Sequence, residues 1–182
     1  MMLPAEGHIE FLRMAGGVIG SVSDAVFRYD AAGDRLQSGP GGQSVGRQFR
    51  HIFDFYNCFL AGLDTGSIDY TIRGRDENLE RDRESAKAEV SRIIDSLMSL
   101  EASITDRTLR VRLEGTFESP CDGECTTSVM RELQFLLSHT IHHFTIIRSL
   151  LSQQGIELES RFELFGVAPS SVRHYRQATG DR

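Results

Sequence analysis

The sequence predicts an all-α protein, a four-helix bundle, from two observations. Four long segments repeat apolar residues at spacings of three and four, which places those residues along one face of a helix. Strand-like alternation is confined to 109–114, which indicates one short extended piece. Helices that are apolar on one face bury it by packing together, and four of them close a bundle. The chain has 182 residues, which predicts a single domain, 1–182, large enough to bury a core.

The first two helices are predicted at 5–28 and 44–63, separated by a glycine-rich loop at 29–43. Each carries an apolar residue on nearly every turn. Ser44 is the expected N-cap of the second helix, because a serine hydroxyl can accept a hydrogen bond from a free N–H group of the first turn.

The third helix, predicted at 77–102, begins with charges of alternating sign, which is typical of a solvent-exposed start. The fourth, predicted at 128–153, precedes Gly155, and glycine commonly follows a helix C-terminus. The links at 64–76 and 103–127 are longer than the roughly nine or ten extended residues that cross a bundle about 30 Å long. Crossover connections are therefore expected, and a simple up-down-up-down order is not required.

The C-terminal tail, 156–182, carries Phe162, Phe165 and Val167 ahead of a turn at Pro169. Large apolar side chains favour burial over exposure to solvent. The tail is therefore expected to pack over the bundle and not to act as a linker.

The composition argues against several functional classes. A net charge of -6 gives no electrostatic support for nucleic-acid binding. No apolar run approaches the ~18–20 residues that span a bilayer, so no membrane insertion is expected. The N-terminus also lacks the basic region of a signal peptide. Three cysteines, an odd number, fit a reduced chain, and a cytoplasmic location is expected.

His139 and His143 are the strongest functional signal in the sequence. Four residues make just over one helical turn, so both imidazoles project from the same side of the fourth helix, with Cβ atoms roughly 5–6 Å apart. The helix's apolar face runs through His143, and His139 lies one turn before it on the edge of the same face. Burying two unpaired imidazoles is costly, and one divalent ion bound to both removes that cost. His142 points about 100° away and is expected at the surface or beside the ligands.

His51 is the predicted third ligand. It directly precedes Ile52 of the second helix's apolar face, so it borders the core. Three histidines from two facing helices would cap one side of an ion and leave positions for water or substrate. Asp54 and Glu132 are candidate acceptors for the imidazole N–H groups, although a solvated carboxylate is the more common case. The competing interpretation of each histidine is a core residue that an ordinary hydrogen bond satisfies.

His51 on the second helix, with His139, His143 and the doublet that His142 completes on the fourth, resembles the DinB/YfiT-like metalloprotein superfamily. The resemblance covers nearly the whole chain in layout and rests on these few residues. It implies an up-down-down-up four-helix bundle with a three-histidine site for a divalent metal, often in a homodimer. The family usually continues Arg-Gly-Gln after the doublet, whereas positions 144–146 are Phe-Thr-Ile here.

The resemblance also implies a function: a metal-dependent transferase or hydrolase that acts on a small-molecule substrate, with a low-molecular-weight thiol in the family's thiol-dependent members. Three imidazoles suit zinc, nickel, iron(II) or copper(II), so the residue types leave the metal open. The alternative is a non-catalytic, stress-associated bundle that holds a metal or stores a ligand. A fourth protein ligand would close the site and favour that alternative.

Two cysteines offer a different metal hypothesis. Cys121 and Cys125 precede His139 and His143 at a spacing close to that of a Cys2His2 zinc finger, which normally has about twelve residues in the middle. Against this, the fourth helix keeps its apolar period beyond the second histidine, and the chain is acidic. The favoured interpretation is a pair of loop thiols.

Arg73 and Arg75, in the link after the second helix, could offer positive charge to an anionic substrate near the mouth of the site. Exposed loops commonly collect such charges without any ligand, and a solvated loop is the more frequent case. The sequence leaves both interpretations open.

Overall fold

The computed structural model describes residues 4–29, 43–101 and 105–179, so most of the predicted loop at 29–43 lies outside the described residues. In chain order, the helices of the described residues are α1 (Pro4–Ser21), α2 (Asp24–Arg28), α3 (Val45–Thr65), α4 (Glu77–Arg81), α5 (Arg83–Glu101), α6 (Val129–Gln153) and α7 (Pro169–Thr179), with a 3₁₀ turn at Ser160–Phe162. The four longest, α1, α3, α5 and α6, fall on the four segments with a helical period, so the predominantly helical fold is confirmed. None of the helices in these ranges is long and apolar enough to cross a membrane.

Polar caps fix where the helices begin. Ser44 is the N-cap of α3, as predicted, and its hydroxyl accepts a hydrogen bond from the Arg47 N–H at 3.1 Å. Ser23 caps α2, and Asp82 accepts a hydrogen bond from the Ser85 N–H at 2.9 Å at the start of α5. A side chain that satisfies a free N–H group starts a new helix. The first and third predicted helices are therefore each divided into a long and a short helix.

A small sheet joins the two long links, and the all-α prediction was wrong to omit it. β1 (Ser67–Ile68) pairs in parallel with β2 (Thr108–Arg112), and β2 pairs antiparallel with β3 (Glu124–Ser128). β2 is the extended piece that the alternation at 109–114 indicated. β3 leads directly into α6, because the hydroxyl of Ser128 caps that helix.

The helical core is packed around aromatic rings. Each of α1 and α3 packs against both α5 and α6. At the centre, the Phe144 ring of α6 stacks on Phe165 with 4.0 Å between centroids, and it also contacts Phe11 of α1 and Phe49 of α3. Burial of rings of this size is a major source of core stability. The packing of α3 on α6 brings together the two helices that carry the predicted ligands.

The tail packs on this core as predicted, through Phe162 and Phe165, which are both buried. Gly17 of α1 permits the close approach, because a Cβ atom there would lie 2.7 Å from the Phe162 ring. The predicted turn at Pro169 is wrong, since this proline begins α7, a helix without buried residues. Proline is tolerated in the first turn of a helix, where its missing N–H has no partner to lose.

Candidate metal centre

Three histidines meet between α3 and α6. His51 lies on α3, while His139 and His143 lie one turn apart on α6. The ring centroid of His51 lies 5.1 Å from that of His139 and 4.5 Å from that of His143, and the last two are 4.4 Å apart. One ring nitrogen of each residue lies within 4.8 Å of the other two. The predicted convergence of the three imidazoles is confirmed.

The neighbours of the ligands explain their position. Ile52 and Thr140 follow His51 and His139 in the sequence, and both are only 1% exposed. Consecutive helical residues are rotated by about 100°, so the histidines flank the buried faces of the two helices. They are therefore partly buried at the edge of the core. His142 is exposed, as expected.

The spacing of the nitrogens suits a single ion. Two nitrogens at about 2.1 Å from one metal lie at most about 4.2 Å apart, and about 3.4 Å apart in a tetrahedral site. The three nitrogens of this site lie within 4.8 Å of one another. Small rotations of the side chains, moving the nitrogens by about 1 Å, therefore reach coordination distance.

His139 provides the most direct sign that a ligand is expected. Its Nε2 atom is buried and has no hydrogen-bond partner. Leaving a buried polar atom unpaired costs about 1–3 kcal/mol, and folded proteins rarely tolerate it without a reason. Coordination of an ion by this nitrogen would account for it. Neutral imidazoles are also common ligands of divalent transition metals, so the residues present fit such an ion.

Gln48 orients one of the ligands. The Nδ1 atom of His143 lies 2.6 Å from the Gln48 side-chain oxygen, which can only accept a hydrogen bond. Nδ1 therefore carries the proton, and the lone pair of His143 is left on Nε2, free for a metal. Gln48 precedes His51 by three residues on α3, so the two share a helix face. That spacing was a usable signal, although the sequence analysis did not single out Gln48.

The two carboxylates proposed as acceptors for the imidazoles have other partners. Asp54 is buried and accepts hydrogen bonds from the Arg50 guanidinium at 2.9 Å and from the Arg75 backbone N–H at 3.2 Å. Glu132 is 1% exposed and accepts a hydrogen bond from the Tyr70 hydroxyl at 2.9 Å. Neither is the solvated carboxylate that the sequence favoured, and neither bonds a histidine in the described structure. The predicted role of both residues is wrong.

Aromatic rings form one wall of the centre. The Phe55 ring lies 4.1 Å from the ring of His139 and 4.9 Å from that of His51, centroid to centroid. Phe135 stacks on His139 at 5.6 Å and lies 6.0 Å from Phe55, and Tyr70 contacts both phenylalanines. An apolar wall excludes water from the ligands and strengthens electrostatic interactions within the site.

These surroundings keep the histidines neutral. Burial lowers the pKa of His51 to about 4, with smaller contributions from His139 and from the charges of Arg73, Arg50 and Arg75. Burial likewise lowers the pKa of His139 to about 4, assisted by His142 and Arg73. The pKa of His143 falls to about 3, again mainly through burial and then through the neighbouring histidines. Because metal binding requires the neutral imidazole, the site is ready for an ion at neutral pH.

The zinc-finger hypothesis is wrong. Cys125 lies on β3, opposite Val111 of β2, and is exposed. Within the described residues, the only group of three or more histidine, cysteine or acidic side chains that could share an ion is His51, His139 and His143. Cys121 and Cys125 therefore do not join the histidines, and both thiols are free.

The sequence matches no protein-family model, and no curated protein matches it at a significant level. The case for a metal centre therefore rests on the geometry of the three histidines and on their surroundings.

Proposed function

We propose that this chain is a DinB-like metalloprotein, an up-down-down-up four-helix bundle that holds one divalent ion through His51, His139 and His143. The observation that carries the proposal is the convergence of three imidazoles, one of which has a buried nitrogen without a partner. Zinc, nickel, iron(II) and copper(II) all suit three imidazoles. A homodimer in a reducing, cytoplasmic environment completes the proposal, on the basis of the resemblance and of the odd number of cysteines.

The proposed activity is that of a metal-dependent transferase or hydrolase acting on a small molecule, with a low-molecular-weight thiol as the co-substrate. Among the described residues no fourth ligand joins the three histidines, and a three-ligand site with an open position is typical of catalytic metals. A divalent ion in such a site lowers the pKa of a bound thiol or water and stabilises developing negative charge.

The protein's own residues have separate parts in this proposal. Gln48 holds the His143 ring with its free nitrogen turned away from the Gln48 oxygen. Phe55 and Phe135 limit water around His139. Asp54 and Glu132 are engaged by other groups, so the proposal gives neither of them a proton-transfer role.

The test is direct binding of a thiol to cobalt(II)-substituted protein. A thiolate that coordinates cobalt produces a sulfur-to-metal charge-transfer band, which can be titrated with 2-mercaptoethanol. We expect the band in the wild type and its loss in His143→Ala, while the exposed neighbour gives the matched control His142→Ala, which should keep it.

One result would contradict the transferase proposal. If cobalt loads fully and no thiol binds at millimolar concentration, an open catalytic position is not available to thiols. The non-catalytic bundle that stores a metal or a ligand would then be the better account.

A further inference from the structure

Arg73 lies beside the aromatic wall of the metal centre, in the link between β1 and α4. Its guanidinium carbon lies 5.4 Å from the centroid of the Phe55 ring. That ring lies 4.1 Å from the ring of His139 and 4.9 Å from the ring of His51. The cation therefore rests on the same side chain that covers two of the three ligands, a contact that also stabilises its position.

Arg73 differs from the other arginines near the site. Arg50 is paired with Asp54 and with Glu80, at 2.9 Å in each case, so its charge is already balanced. Arg75 is exposed and meets Asp54 through its backbone. Arg73 has no carboxylate within ion-pair distance among the residues that the structure describes. It is also the arginine whose charge lowers the pKa of both His51 and His139.

The charge balance of the loaded site favours an anion. Three neutral imidazoles leave the two positive charges of a divalent ion uncompensated, and no carboxylate belongs to the group of ligands. Arg73 adds a further positive charge beside the Phe55 ring. Concentrated charge of one sign in a partly buried site is costly unless an opposite charge joins it. The net charge of the whole chain is -6, but Asp54, the acid that also interacts electrostatically with Arg73, is already paired with Arg50.

We propose that Arg73 binds an anionic group of the substrate, a carboxylate, while another atom of the same molecule reaches the ion. The substrate class is then a small organic acid, including thiols that carry a carboxylate. A guanidinium is suited to this role because its planar fork can donate two hydrogen bonds to one carboxylate. This inference rests on the metal site of the proposed function.

The experiment compares two thiols on cobalt(II)-loaded full-length protein at low ionic strength. Mercaptoacetate carries a carboxylate and 2-mercaptoethanol a neutral hydroxyl in its place, and both are followed through the charge-transfer band. Arg73→Gln should weaken mercaptoacetate binding about three- to tenfold, the scale of a partly exposed charge pair, and leave 2-mercaptoethanol unchanged. Salt at about 0.5 M should shrink the difference, since it screens exposed charges.

Arg75→Gln is the matched control, because Arg75 lies on the same link and is exposed. Its charge also reaches His51, so Arg75→Gln should weaken mercaptoacetate binding by less than about twofold and leave 2-mercaptoethanol unchanged. Equal affinities of wild type and Arg73→Gln for mercaptoacetate would overturn the inference. So would an equal loss of both thiols in Arg73→Gln, which would indicate damage to the site and not recognition of the carboxylate.

A thiol-free probe separates this inference from the proposed thiol chemistry. Glycolate, whose hydroxyl can reach the ion while its carboxylate meets Arg73, can be titrated against the cobalt d–d bands, and Arg73→Gln should weaken its binding more than Arg75→Gln does. If thiols fail to bind but glycolate binding depends on Arg73, the transferase proposal falls and the anion site stands. If cobalt itself does not bind, the metal centre and the inference fall together.

Discussion

His8 on α1 is buried in the core and His139 on α6 is partly buried at its edge, and the two histidines differ in their partners. Burial lowers the pKa of each from 6.5 to about 4. The His8 ring contacts Tyr56, and its Nδ1 atom lies 2.8 Å from the Tyr56 hydroxyl. The His139 ring is enclosed by phenylalanines, and its Nε2 atom has no partner.

The comparison shows which observation separates a structural histidine from a ligand. The pKa shift does not do so, because burial lowers both pKa values to about 4 although His8 is fully buried and His139 only partly. The hydrogen-bond partner does: Tyr56 satisfies His8 and is itself 3.4 Å from the Thr140 hydroxyl, in a buried polar chain that ties α1, α3 and α6 together. His139 instead has an unpaired nitrogen and contributes one ring nitrogen to a group with two further imidazoles.

The largest expected effect is therefore on metal content. His139→Ala should remove bound metal, because two imidazoles hold an ion much more weakly than three. His8→Gln should keep about one ion per chain, as in the wild type. Elemental analysis of the purified proteins after dialysis measures the difference, with His51→Ala and His143→Ala expected to behave like His139→Ala.

Cys121→Ser combined with Cys125→Ser is the control for thiols as ligands, and it should leave the metal content unchanged. Retention of metal in all three histidine variants would contradict the assignment of His139 as a ligand and of His8 as a structural histidine. His139 would then be a core histidine whose unpaired nitrogen needs another explanation.

The ligands were predictable because helical geometry converts spacing into direction. His139 and His143 are four residues apart, and residues at that spacing lie on the same face of a helix. His51 borders the apolar face of α3, which must pack against another helix. The partners were not predictable in the same way. Asp54 and Glu132 were chosen for their charge, but which donor reaches a buried carboxylate depends on the tertiary fold, and the donors are Arg50 and Tyr70.

The elements of the fold show the same difference between what local sequence predicts and what depends on the tertiary fold. The four long helices follow from periodicity within single segments, whereas the sheet depends on pairing between distant ones. β1 has only two residues and β3 is Glu-Cys-Thr-Thr-Ser, so neither carries an apolar alternation to detect. The helix breaks at Ser23 and Asp82 left a clearer signal, since both residue types are frequent N-caps. The up-down-down-up order, the dimer and the location stay predictions.

The next largest effect is on the pH dependence of stability. In metal-free protein, His8 should make the free energy of unfolding depend on pH. Its pKa is about 4 in the folded protein and 6.5 unfolded, so the unfolded chain takes up the proton first as the pH falls. The stabilisation is complete above the unfolded value and is lost as the pH falls from about 6.5 towards about 4. His8→Gln should therefore reduce the slope of unfolding free energy against pH by roughly 1 to 1.5 kcal/mol per pH unit in this window.

Urea unfolding of chelator-treated protein at several values between about pH 7 and about pH 5 measures that slope. The triad histidines titrate in both proteins, so their contribution cancels in the comparison. Parallel curves for wild type and His8→Gln would show that His8 does not stay neutral in the fold.

The third prediction concerns a substitution that would leave His8, like His139, with a buried nitrogen that has no hydrogen-bond partner. Tyr56→Phe removes the hydroxyl and leaves the His8 Nδ1 atom buried without its partner, at a cost of about 1–3 kcal/mol in the free energy of unfolding. Thr140 keeps its own hydrogen bond to the Leu136 carbonyl at 2.8 Å. Tyr175→Phe, at a position 68% exposed, is the matched control and should change stability by less than about 0.5 kcal/mol.

Metal content should not change in Tyr56→Phe, since none of the three ligands loses a contact with Tyr56 in the described structure. Denaturant unfolding and elemental analysis of one preparation test both statements. A loss of metal in this variant would show that the hydrogen bond between His8 and Tyr56 also supports the metal centre, and the two sites could not be treated as independent.

The smallest expected effect is on metal affinity and concerns the hydrogen bond between Gln48 and the ligand His143. Gln48→Leu removes the acceptor at 2.6 Å from His143 Nδ1, so the ring loses its preferred tautomer and orientation while all three ligands remain. Loss of such a supporting hydrogen bond typically lowers metal affinity about tenfold. Competition with a colorimetric chelator measures this. Gln48→Glu, which offers a stronger acceptor, should bind metal at least as tightly as the wild type.

Gln134→Leu is the control for the loss of a glutamine, because Gln134 is an exposed residue of α6 whose amide bonds Ser138. It should leave the metal affinity unchanged. If Gln48→Leu also leaves it unchanged, the contact of Gln48 with His143 does not orient the ligand, and packing against the neighbouring rings of His51 and His139 fixes the imidazole instead. If Gln48→Leu and Gln48→Glu weaken binding equally, the Gln48 oxygen does not act as the acceptor for the His143 Nδ1–H group, and the proposed orienting role of Gln48 is wrong.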